Sequence, residues 1–110
     1  GKFKKYLSLI EDKCFVCGGN LKEDISIDHM IPFSFMFSDD LWNLVYAHKS
    51  CNSSKSNKIV SESEIKKLEL RNKQLLEILE NNEIKDKNYS ELKLSIENNL
   101  LRKFWISFKG

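Results

Sequence analysis

Two pairs of metal-ligating residues constrain this chain more than anything else in it. Cys14-Phe-Val-Cys17 and His48-Lys-Ser-Cys51 each hold two residues between their members. Two thiolates at that spacing reach one metal from a tight turn, and Gly18 and Gly19 let the backbone fold back under the sulfurs. A lone Cys-x-x-Cys also serves as a redox pair. The second pair completes four soft or borderline donors, three sulfurs and one imidazole, which suit tetrahedral structural zinc with no open position. The plainer alternative makes Cys51 a buried thiol and His48 a hydrogen-bonded core imidazole.

Three cysteines cannot all pair with one another, and no secretory signal precedes them. Metal binding in a reducing, cytoplasmic setting therefore fits better than a disulfide framework. No apolar run approaches the roughly 20 residues of a membrane span, so no membrane partner is expected. At 110 residues and 41% hydrophobic, the chain reads as one domain with a modest core, for which a metal is a useful staple. It begins with Gly rather than Met, as a processed product or an excised domain of a larger protein would. The net charge of +2 says little about partners. Its distribution says more: Lys49, Lys55 and Lys58 stand in a stretch without acids, and Lys2, Lys4 and Lys5 form a second basic spot that reads as a solvated helix face.

The expected architecture is α+β. Phe3, Tyr6, Leu7 and Ile10 predict an amphipathic helix over about residues 2–11. Ser26-Ile-Asp-His29 reads as a short strand that Pro32 ends. Phe33, Phe35, Met36 and Phe37 read as an apolar, core-filling loop, and Asp39-Asp40 as a turn. Leu41 to Ala47 reads as a second strand, which makes a β-hairpin, with a short helix after it between Lys49 and Lys58. Ser61 and Glu64 predict a capping box on a helix over 61–83, with Ile65, Leu68, Leu75, Leu76 and Leu79 on one face. Asn88 with Glu91 reads as the cap of a last helix, about 89–106. Its inner face would carry Tyr89, Leu92, Ile96, Leu100, Phe104 and Phe108, with Trp105 near the core.

The chemistry concentrates between these ligand pairs. Asp28 offers a hard carboxylate oxygen suited to magnesium or manganese. His29 beside it points to the other side of the strand and can take a proton from water near neutral pH. Asn52 adds an amide oxygen, and Lys55 and Lys58 offer point charges for phosphates.

Asp28-His-Met-Ile-Pro32, Asn43 and Cys51-Asn52-x-x-Lys55 together resemble the HNH endonuclease family, the ββα-metal fold in its zinc-stapled branch. The resemblance covers about residues 14–58, with a helical extension over about 61–108. It implies His29 as general base, Asp28 and Asn52 as holders of one catalytic divalent cation, and Asn43 as the residue that fixes the hairpin loop and helps orient His29. It implies double-stranded DNA as substrate, with 5′-phosphate and 3′-hydroxyl products. Asn52 stands where many members have histidine, an H-N-N variant, and His48 stands where the second zinc pair has cysteine. A rival assignment gives His48 the catalytic third position. Two other functions fit the same residues: a zinc-stapled nucleic-acid-binding module without catalysis, and a homodimerisation or docking role for the last two helices.

Overall fold

The computed structural model describes residues 3–10, 12–55 and 60–110, the side chains of 53–55 excepted. Lys2, Lys58 and the side chain of Lys55 therefore lie outside the described residues. Two strands, β1 (Ile25–His29) and β2 (Leu44–His48), pair antiparallel with His29 opposite Leu44 and Ile25 opposite His48. This register puts His29 at one end of the hairpin and His48 at the other. β2 is buried from Leu44 through Ala47.

The N-terminal helix, expected over about 2–11, is a single turn, α1 (Lys4–Leu7), with Phe3, Tyr6 and Leu7 buried. Between the strands lie α2 (Phe33–Met36), which starts directly after Pro32, and a 3₁₀ turn, Leu41–Asn43. The second strand thus begins at Leu44, not Leu41. The Asn43 N–H bonds back to the Asp40 carbonyl (2.9 Å), which is turn geometry. The carbonyls of Leu41 and Trp42 are taken by Arg71 and Asn72 (3.2 and 2.9 Å) rather than by a strand neighbour.

Of the expected core-filling loop only Met36 packs against the core; its phenylalanines do not fill it. Phe33 is 47% exposed and Phe37 75%. Their rings meet each other and His29 edge-on, and Phe35 meets Phe108. Phe37 also takes the left-handed conformation (φ 56°), which costs a residue with a side chain about 1–3 kcal/mol.

α3 (Lys49–Lys55) follows β2 immediately and packs on both strands, which completes the ββα order. Asp24 caps its start: the Asp24 carbonyl accepts from the Lys49 N–H (2.7 Å), and its carboxylate accepts from Ser50 (3.4 Å). α4 (Glu62–Asn81) opens with the expected Ser61–Glu64 capping box. Ile65, Leu68, Leu75 and Leu79 are buried along it, and Leu76 is half-buried. Arg71 and Asn72 share that inner face and are satisfied by the carbonyls before β2, while Lys67 donates to the Phe15 carbonyl (2.8 Å). One helix of the extension thereby holds both the Cys14 loop before the hairpin and the turn between its strands.

The expected last helix is two. α5 (Lys87–Glu97) is capped by Asp86, which accepts from the Tyr89 N–H (3.0 Å), so Asn88 is not the cap; it donates to the Tyr6 hydroxyl (3.1 Å) instead. Asn99 turns left-handed (φ 52°), a conformation asparagine tolerates better than most residues, and α6 (Leu100–Lys109) starts after it as a separate helix. Burial shifts accordingly, from Tyr89 and Leu92 to Leu101 and Trp105. Trp105 is in the core, and its indole N–H donates to the Val60 carbonyl (2.7 Å).

Candidate metal centre and active site

The Cys14 turn closes by two backbone bonds, Cys14 N–H to the Gly19 carbonyl and Gly18 N–H to the Cys14 carbonyl (both 2.8 Å). Gly18 sits at φ 77°, where a side chain is strained. A Cβ on Gly19 would stand 3.3 Å from the Cys17 sulfur and 3.6 Å from the His48 ring. A side chain at Gly18 would strain the turn, and one at Gly19 would press on the Cys17 sulfur beside His48.

The ligand atoms of Cys14, Cys17, His48 and Cys51 all lie within 4.8 Å of one another. His48 Nδ1 stands 3.4 Å from the Cys17 sulfur and 3.7 Å from the Cys51 sulfur. Tetrahedral zinc with its usual bond lengths would set such S···N separations at about 3.5 Å. The other ring nitrogen, Nε2, lies 2.9 Å from the Asn20 carbonyl, which can only accept, so Nε2 carries the proton and Nδ1 is left for a metal.

Electrostatics point the same way. Burial opposes ionisation of Cys14, but the N–H groups of Cys17, His48 and Val16 outweigh it and bring the thiol down to about 6. Burial and the neighbouring sulfurs of Cys17 and Cys14 push Cys51 up to about 11. The bond to the Asn20 carbonyl raises His48, with help from Cys17. A thiolate at Cys14 works against a second one at Cys51, and a divalent cation among the ligands removes that conflict. The residues fit zinc.

The second cluster is at the other end of the hairpin. Asp28 is buried within β1, and His29, the last residue of the strand, is half-buried. Asn43 is fully buried and clamps the backbone that leaves His29. Its side-chain oxygen accepts from the Ile31 N–H (2.8 Å), its amide donates to the Ile31 carbonyl (2.9 Å), and its own carbonyl accepts from the Met30 N–H (2.9 Å). Asn43→Ala would leave both Ile31 groups buried without those partners, a cost of about 3 kcal/mol. Urea unfolding is expected to show that loss.

His29 Nε2 meets the Asp39 carboxylate at 2.7 Å. A carboxylate accepts, so Nε2 carries a proton, and in the neutral ring Nδ1 is the nitrogen with the lone pair. Phe33 packs edge-on against the same ring, 5.4 Å between centroids. Asp39 was expected only as a turn residue. Its part is set by the loop folding back ten residues after His29, which no local spacing announces. Asn20 and Asp24 were likewise unmarked in the sequence.

Asn52 is half-buried on α3, next to Cys51, and Lys49 is exposed at the start of that helix. The fold therefore gathers the four candidate zinc ligands into one cluster, and sets His29, Asn43 and Asp39 around the far end of the hairpin. Asp28 and Asn52 lie on neighbouring elements, β1 and α3. No helix among the described residues is long and apolar enough to cross a membrane.

Residues 19–61 match the family model described as HNH endonuclease. No curated protein and no solved structure matches the chain.

Proposed function

We propose that this chain, which carries an HNH endonuclease segment over residues 19–61, is a single-domain, metal-dependent nuclease that hydrolyses phosphodiester bonds in DNA. The observation that carries this reading is His29 at the strand end of the matched segment, with Asp39 on Nε2 and Asn43 clamping the backbone beyond it. Nδ1 is then the basic nitrogen that takes a proton from an attacking water, and Asp39 balances the imidazolium that results.

Asp28 and Asn52 would hold one magnesium or manganese ion, since both offer hard oxygen donors. Such an ion supplies positive charge beside the scissile phosphate and the leaving 3′ oxygen. The chain's own residues do the rest. Asn43 fixes the exit of β1, Asp39 sets the ring, and Lys49, with Lys55 and Lys58 further along, offers cations to phosphates of the substrate. Products are a 5′-phosphate and a 3′-hydroxyl. Cys14, Cys17, His48 and Cys51 take structural zinc and no part in the chemistry.

The test is nicking of supercoiled plasmid in magnesium or manganese. A gel shift without cleavage under any metal would instead support a zinc-stapled binding module. Asp39 acts through His29, so it is a positioning residue. Its side chain is 55% exposed, so Asp39→Asn is expected to lower kcat about 10-fold, far less than the ~10⁴ of a buried triad carboxylate. KM should hold, because the substituted amide oxygen still accepts from Nε2–H and keeps the ring in place. A change in KM alone would remove Asp39 from that role.

A further inference from the structure

The exposed aromatic side chains beside His29 have no role in the chemistry above and little in the core. Phe33 and Phe37 lie 6.1 Å apart, centroid to centroid, in edge contact, and Phe33 is itself in edge contact with His29. Phe37 presents three quarters of its surface to solvent. Exposure of so large an apolar side chain gains the fold nothing. Its left-handed backbone is a second, independent anomaly. A helix end of this shape ordinarily takes glycine, and a bulky residue there is an outlier of the kind that collects at binding sites.

We propose that Phe33 and Phe37 form a stacking platform for a nucleobase flanking the scissile phosphate. The proposal rests on the nuclease reading and deepens it by naming the substrate feature. If His29 addresses the phosphate, bases attached to adjacent sugars fall within reach of rings only 5–6 Å further on. A π-face accepts any base, so the platform is indifferent to sequence. A base can reach it only when unstacked from its neighbours, so cleavage favours single-stranded, mismatched or easily deformed DNA over a fully paired duplex.

The experiment uses the full chain with His29→Ala to prevent cutting, and an oligonucleotide carrying the fluorescent base 2-aminopurine. Stacking on the platform quenches the probe. Adding Phe37→Gly is expected to abolish the quench and weaken Kd roughly 10-fold. It should leave the melting temperature equal or higher, because glycine suits the left-handed position. Leu70→Ala, which trims an exposed apolar residue on α4, leaves Kd unchanged. In the cutting protein, Phe37→Gly raises KM and erases the preference for mismatched over paired DNA.

An unchanged quench and Kd overturns the platform and leaves the nuclease reading standing, provided the wild type cuts. A lowered melting temperature makes Phe37 a structural residue and also overturns it. A wild type that neither binds nor cuts DNA brings both readings down.

Discussion

Plasmid incubated with magnesium or manganese is nicked by the wild-type chain and stays supercoiled with His29→Ala, a loss of about 10²–10⁴-fold in rate. The size follows from removing the group that takes the proton. The stability effect is small by comparison. The His29 ring is half-buried, and its hydrogen bond is to an exposed carboxylate, worth about 1 kcal/mol. Against a typical net stability of 5–15 kcal/mol, roughly that of any small domain, such a loss leaves nearly all molecules folded. Circular dichroism and melting temperature should therefore stay close to wild type while cleavage disappears. A variant that still cuts at the wild-type rate would assign the activity to another residue or to a contaminant.

Much of the candidate site was legible because spacing along a chain is itself a geometric statement. Two residues between ligands fix Cys14 with Cys17 and His48 with Cys51, and those four converge. Alternation along β1 predicts different sides for Asp28 and His29, and the first is buried and the second half-buried. What escaped reading depends on contacts between segments. Asp39 reaches His29 only because α2 and the turn after it reverse the chain. Arg71 and Asn72 look out of place on an inward face until the carbonyls of Leu41 and Trp42 are seen to receive them. Hydrophobicity alone placed Phe33 and Phe37 inside, yet it carries no information about which side of a loop faces water. Helical periodicity ran on through Asn98-Asn99 because it is blind to one residue turning left-handed.

Removing the zinc ligands is expected to have the other large effect, on the fold itself. Wild type should bind one zinc per chain, and Cys17→Ala, His48→Ala and Cys51→Ala should each lose it. Structural zinc contributes about 10–16 kcal/mol in small metal-folded units, as much as or more than the net stability of an ordinary domain. The Cys14 turn, the His48 end of the hairpin and the start of α3 meet at this cluster, so all three should come apart together. The helical extension has its own buried set, Leu68, Leu75, Leu79 and Leu92, so far-UV circular dichroism retains much of its helix signal. Chelation followed by readdition of magnesium should reproduce this and abolish cleavage although His29 lies at the opposite end of β1. Asn52→Ala separates the two metals: it should keep its zinc and its melting temperature and lose metal-dependent cleavage. His48→Ala should lose zinc first. If instead His48→Ala retains one zinc and melts as wild type does, His48 leaves the zinc set and becomes available as the third catalytic position.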